Sequence, residues 1–185
     1  AKDLSTCINN EVEVVFFESG DDIRYTSSPA KDFCDLHSLI NVEFSITKPI
    51  TDYKGELKHF KINDENRSQT LRVYTNALRS RCRHTKQKDT GTAYFYIKTI
   101  EGYVDLESLL REVVSLREVN EFHEFCCEKL FKTISEHPDV AECMVMLLYA
   151  RRGSIDINPV RATHERLIPP PLKNVLVFTK KTMGQ

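Results

Sequence analysis

Strict alternation of apolar and polar residues is the strongest pattern in the chain. Ile40, Val42, Phe44 and Ile46 alternate with Asn41, Glu43, Ser45 and Thr47, which predicts a strand with one buried face, closed by Pro49. Val12, Val14 and Phe16 predict an earlier strand in the same way. Two more strands are expected over residues 70–77 and 92–98; in the second, Ala93, Phe95 and Ile97 face one way and Tyr94, Tyr96 and Lys98 the other. The period then changes. Asp105 suits a helix N-cap, and Leu106, Leu109, Leu110, Val113 and Leu116 recur at helical spacing after it. A break near residues 118–120 precedes a second helix carrying Phe122, Cys126, Leu130, Phe131 and Ile134, which His137-Pro138 ends. Residues 144–149 are a continuous apolar run read as a strand, and a weak strand at 175–178 follows Pro169-Pro170-Pro171. Gly20, Asp21, Asp22, Ser27, Ser28 and Pro29 mark a linker.

Composition narrows the class without choosing a function. A chain of 185 residues with 41% hydrophobic and 29% charged residues is long enough to bury a core, as one domain or two small ones. The formal net charge of −1 gives no overall pull toward nucleic acid, so direct binding of tRNA is not expected. No run of about eighteen apolar residues and no signal-peptide pattern occurs, so neither membrane nor secretion is expected. The six cysteines lack paired C-x-x-C spacing, which points to free thiols in a reducing compartment, the cytoplasm, and to no structural metal.

Candidate chemistry gathers in Cys82-Arg-His-Thr-Lys-Gln-Lys-Asp89, a stretch expected to connect two strands. A cysteine needs a lowered pKa to act as a nucleophile, and Arg79, Arg81, Arg83, His84, Lys86 and Lys88 crowd Cys82 with positive charge. Asp89 stands within reach as an acid, although an aspartate shortly before Gly91 also suits a turn. Further on, His123-Glu124 and Arg151-Arg152-Gly153 are unusual strings. A His-Glu pair taken alone is most often a solvated helix face.

Cys82, Thr85, Gln87, Asp89 and Gly91, followed in order by Asn120-Glu121-Phe122-His123-Glu124 and by Arg151 to Pro159, resemble the 7-cyano-7-deazaguanine reductases over about residues 40–161. These are NADPH-dependent nitrile reductases of queuosine biosynthesis, which modifies tRNA. The resemblance is to the long, two-module type, with Leu4 to Cys7 matching the close of its first module. It implies an α+β tunnelling fold (T-fold), an antiparallel sheet with a helix pair packed on one face, assembled into homo-oligomers. The expected layout is a tail of an N-terminal module at 1–25, a linker at 26–39, the catalytic module at 40–165 and a C-terminal tail at 166–185.

The resemblance also implies roles. Cys82 matches the cysteine that adds to the nitrile carbon of 7-cyano-7-deazaguanine to give a thioimide, and Asp89 matches the proton donor, for which partial burial would be needed. Glu124 and His123 match the substrate-recognition pair; two carboxylate oxygens suit the ring N–H and exocyclic amine of a guanine-like base. Arg152 and Gly153 match contacts to NADPH, the hydride donor, with a guanidinium for phosphate and a glycine for close approach. No metal is implied. The expected product is 7-aminomethyl-7-deazaguanine.

The chain departs from the pattern at Lys88-Asp89-Thr90 and at Gly153-Ser154, and the Glu-Ser-Lys-Ser cofactor and substrate element of the first module occurs nowhere in it. That half is expected to be missing or supplied by another chain. The alternatives are a diverged or amidine-forming relative that forms the thioimide without reducing it, a cysteine hydrolase using His84 or His123 as base, and a zinc cyclohydrolase with Cys82 and His84 as ligands. One-residue spacing makes the last a poor chelate.

Overall fold

In the computed structural model of the chain, residues 2–12, 32–40, 56–153 and 155–173 are described. Apart from their first residues, Val12 and Ile40, the strands expected at 12–16 and 40–47 lie outside them, as does the one expected at 175–178. Helix α1 spans Lys2–Ile8, and a short strand β1, Cys34–Asp35, runs into one helical turn, α2, Leu36–Leu39. Strand β2 is Ile62–Asn63, β3 Thr70–Arg81, β4 Lys88–Thr99 and β5 Tyr103–Val104. Helix α3, Leu106–Ser115, leads through a 3-10 turn to α4, His123–Ser135; β6, Val140–Tyr149, β7, Val160–Ala162, and a final turn α5, Pro170–Lys173, complete the order. Among the described residues no helix is long and apolar enough to cross a membrane.

Alternation builds the sheet as expected. Its order is β1-β3-β4-β6-β7, antiparallel except where β1 lies parallel to β3. Phe95, Ile97, Val145 and Leu147 point to the face that α3 and α4 cover with Leu109, Val113, Leu130 and Ile134, all fully buried. Each such side chain contributes roughly 1.5–3 kcal/mol of hydrophobic stabilisation. The opposite face buries Tyr94, Met144, Met146 and Leu148 beneath Phe33, with Leu167 and Ile168 packed beside them. This is an α+β architecture with the strand, strand, helix pair, strand order expected from the sequence. Within the stretch that composition marks as a linker, β1 extends the sheet edge and Leu36 enters the core.

Asp105 caps α3 as expected, its carboxylate accepting from Ser108 N–H at 3.1 Å. Inside α3, the buried Glu112 accepts from the backbone N–H groups of His59 and Phe60, which fastens residues 59–60 across the helix.

Three features aim this scaffold at one end of the covered face. Register slips between Thr75 and Leu78 on β3, so Asn76 and Ala77 form a bulge. Before it the buried phase is Leu71, Val73 and Thr75; after it, Leu78 and Ser80. The inserted residue therefore moves the phase that reaches Cys82 onto the helix-covered side. Next, Arg81 N–H donates to the Val119 carbonyl at 2.9 Å, and Arg81 bridges Asn120, which ties the α3–α4 connection to the end of β3. Finally, Gly91 permits close approach of β4 and β6: a Cβ there would lie 2.2 Å from the Leu148 carbonyl oxygen.

Candidate active site

Cys82 opens the connection between β3 and β4. Its N–H donates to the Gln87 carbonyl and its own carbonyl accepts from Lys86 N–H, both at 2.9 Å, with Lys86 in the left-handed region at φ 59°. The turn folds Thr85 back onto the sulfur. Hydrogen bonds from the Thr85 side chain, then from the Thr85 and His84 backbones, hold the Cys82 thiol below its ordinary pKa, outweighing slight burial and the Asp89 charge. The crowd of basic residues is therefore not the cause: Arg79 and Arg81 pair with Glu118, and Arg83 lies 3.7 Å from Glu121. Cys126 is raised by burial, while Cys127 and Cys143 are pushed up to about 12 by the same cause. All six cysteines are free thiols.

Asp89 departs from the sequence expectation. It does not sit in the connection but on β4, where it pairs in register with Ser80 and points into the buried face with its side chain only 2% exposed. Two partners meet it there. Arg152, in the segment after β6, pairs its Nε with Asp89 Oδ1, and His123 Nε2 lies 3.4 Å from Asp89 Oδ2. Burial is the condition a carboxylic proton donor needs, whereas a guanidinium in contact favours the ionised form.

His123 and Glu124 begin α4, where the Phe122 side chain makes no cap. The His123 ring lies flat on Tyr149, and its Nδ1 is buried without a hydrogen-bond partner among the described residues. Tyr149 is fully buried, which pushes its hydroxyl well above the ordinary phenol value, so it serves as a neutral platform held by Ser80 Oγ at 3.4 Å. Glu124 is exposed and has no ion pair or hydrogen bond among the described residues, so both its oxygens are free to accept from a ligand.

Arg152 is more committed than its sequence context suggested. Besides Asp89 it donates to Gln87 Oε1 at 2.5 Å and to the Lys88 carbonyl at 2.6 Å. Arg151 is held by Asp156 at 2.8 Å. Gly153 has φ 55°, and nothing among the described residues lies within 4 Å of where a Cβ would be. A partly exposed guanidinium beside an open glycine fits the phosphates of a dinucleotide, provided that Arg152 exchanges partners to reach them.

The structure thus gathers Cys82, Asp89, His123 and Arg152 at one end of the helix-covered face, with Glu124 and Gly153 adjoining. The sequence signal missed the roles of Thr85 and Tyr149. Thr85 was visible in the motif, but only the folded turn shows that it contacts sulfur; Tyr149 read as an ordinary strand residue. Among the described residues no imidazole hydrogen-bonds Cys82, so the thiol–imidazole pair of a hydrolase is not formed. No group of three or more His, Cys, Asp or Glu residues among them could hold a metal ion.

The site is thus a cysteine with a lowered pKa beside a buried carboxylate–imidazole pair at one end of a helix-backed antiparallel sheet. Residues 92–167 match the family described as QueF-like protein. In sequence the chain is similar to proteins named NADPH-dependent 7-cyano-7-deazaguanine reductase. It is 34% identical over 176 residues to the one from Psychrobacter cryohalolentis, covering 92% of this chain and 60% of that protein. The one from Legionella pneumophila strain Corby is 33% identical over 163 residues, covering 88% of this chain and 53% of that protein. The chain therefore spans a little over half the length of these curated relatives. Among solved structures, the apo archaeosine synthase QueF-Like superposes with a TM-score of 0.45 at 14% identity, covering 53% of this chain and 94% of that one.

Proposed function

We propose that this chain carries the thioimide-forming and base-recognising module of an NADPH-dependent 7-cyano-7-deazaguanine reductase, which converts the nitrile to 7-aminomethyl-7-deazaguanine in queuosine biosynthesis. The observation that carries this reading is an activated thiol at Cys82 facing a buried Asp89–His123 pair, beside the unpaired carboxylate of Glu124.

In this reading Glu124 accepts two hydrogen bonds from the ring N–H and exocyclic amine of the base, and His123, fixed on Tyr149, lies alongside. The Cys82 thiolate adds to the nitrile carbon. Electrons of the triple bond move to nitrogen, which takes a proton from the Asp89–His123 pair and leaves a neutral thioimide. Two NADPH molecules, bound in turn, would each supply one hydride; Arg152 and Gly153 are the residues of this chain that would hold the cofactor's phosphates. The rest of the cofactor site belongs to the expected first module. The substrate is the free base rather than tRNA. A second copy of the chain completes the site; the exposed Phe122, Phe125, Ile155 and Ile157 on the flanking segments support this. The enzyme works in the cytoplasm, where six unpaired thiols remain reduced.

Intact mass spectrometry after mixing the chain with 7-cyano-7-deazaguanine tests the reading. An adduct with the mass of the nitrile, absent in Cys82→Ala, is expected. No adduct on the parent chain, or an unchanged adduct in the alanine variant, removes the assignment. An adduct that consumes no NADPH even when the expected first module is present favours the amidine-forming relative.

A further inference from the structure

Two segments far apart in the chain must meet for addition to the nitrile to occur. Cys82 travels with the β3–β4 turn, whereas His123 and Glu124 travel with the start of α4 and the connection before it. A base held on Glu124 reaches the sulfur only if the gap between these segments is fixed, because addition needs the reacting atoms about 3–3.5 Å apart and aligned. Backbone contact between them is slight: the Arg81 N–H bond to the Val119 carbonyl at 2.9 Å and the Arg81–Asn120 bridge.

Side chains add the rest. Glu118 presents one carboxylate oxygen to Arg81 Nε at 2.6 Å and the other to an Arg79 Nη at 3.4 Å. Arg81 also donates to the Lys86 carbonyl at 3.4 Å, so the same guanidinium grips the far side of the nucleophile turn. Farther along, Arg83 faces Glu121 at 3.7 Å and lies over the Phe122 ring at 5.6 Å, with the His84 ring 5.5 Å from the same phenyl group. A lone exposed ion pair would hold little. Here one carboxylate serves two guanidiniums whose side chains are only 28% and 30% exposed, and its bond to Arg81 holds the Glu118 carboxyl below its ordinary range. None of these side chains takes part in lowering the Cys82 pKa, which rests first on Thr85.

Resting on the reading above, we propose that Glu118 is a positioning residue that, through Arg79 and Arg81, clamps the nucleophile turn to the base-recognition segment and so sets the reach from the sulfur to the nitrile carbon. Activation and aim are thereby separate. Thr85 favours the thiolate, and Glu118 acts through the turn to point it.

The test compares two reactions of Cys82 in the same chain: addition to 7-cyano-7-deazaguanine, which needs the base held on Glu124, and alkylation by iodoacetamide, which needs only the thiolate. Glu118→Gln should lower the ratio of addition rate to alkylation rate about fivefold, the upper range for a surface ion pair, while the alkylation rate and its pH midpoint stay as in the parent. Arg81→Gln should lower the ratio too, and the double variant should fall no further than the lower single. Potassium chloride at about 1 M should bring the parent ratio down toward that of Glu118→Gln and leave the variant's ratio in place. An unchanged ratio, or a fall shared equally by both reactions, overturns the clamp. So do additive losses in the double variant, or a parent ratio indifferent to salt. If the parent chain forms no adduct, the thioimide reading fails and hydrogen exchange of the Arg81 amide decides the clamp: exchange about fivefold faster in Glu118→Gln sustains it, and unchanged exchange overturns it.

Discussion

His123 lies on Tyr149 with ring centroids 3.6 Å apart and planes 9° from parallel. The stack ties the first turn of α4 to the last residue of β6, so imidazole orientation depends on a core side chain. Replacing Tyr149 with Phe keeps the ring and removes the bond to Ser80; urea unfolding should show a loss of about 1 kcal/mol and little change in adduct rate. Tyr149→Ala should lose about 3–5 kcal/mol and slow the adduct as well. An adduct rate unaffected by the alanine variant, at a urea concentration where it is folded, would show that the stack does not position His123.

Thr85, rather than the surrounding arginines, lowers the Cys82 pKa. Thr85→Val should therefore move the pH midpoint of iodoacetamide alkylation of Cys82 upward, whereas neutralising Arg83 should leave it nearly in place. The reverse ranking would restore the charge explanation.

Burial pushes the Cys127 and Cys143 thiols up to about 12, against about 8.5 in an unfolded chain. Between these values the unfolded state has lost protons that the folded state keeps, so stability is full below about pH 8.5 and falls as pH rises toward about 12. The expected slope is up to about 1.4 kcal/mol per pH unit for each thiol, read from urea midpoints between about pH 8 and 11. Cys143→Val should flatten it. A pH-independent midpoint across that range would contradict the burial.

At Gly91 the β6 backbone occupies the position a methyl group would take, 2.2 Å away at the Leu148 oxygen and 2.9 Å at Tyr149 Cα. Gly91→Ala must push β4 from β6 two residues from Asp89. A loss of about 2–4 kcal/mol in thermal or urea unfolding is expected. A smaller loss than that of an exposed strand glycine would show that the strands do not approach so closely.

Much of this was legible in the residues, and the parts that were not share a cause. Period-2 alternation located β4, and period-3.6 spacing located α3 and α4, because burial on one face imposes those repeats. Both β3 and β4 run farther toward the turn than their apolar patterns do, since Arg79, Arg81, Lys88 and Asp89 are polar strand residues. That is why Asp89 read as a loop residue. The motif residues identified Cys82, Asp89, His123 and Glu124 as a group, yet no pattern could reveal that Arg152 contacts Asp89, 63 positions earlier in the chain. Such a contact is a property of the closed sheet and not of any local repeat. Likewise Thr85 reaches the sulfur only through the left-handed kink at Lys86.

The bulge at Asn76 and Ala77 leaves the thiol dependent on residue count rather than residue identity. Deleting either bulge residue would leave Leu78, Ser80 and Cys82 in their present phase, whereas one residue inserted between Leu78 and Ser80 would turn the end of the strand over and carry the sulfur toward the surface lined by Tyr94 and Leu148. Evolution along this hairpin is thus freer in chemistry than in length, with an extra residue beyond the bulge costing the nucleophile its audience and a loss within the bulge costing it nothing.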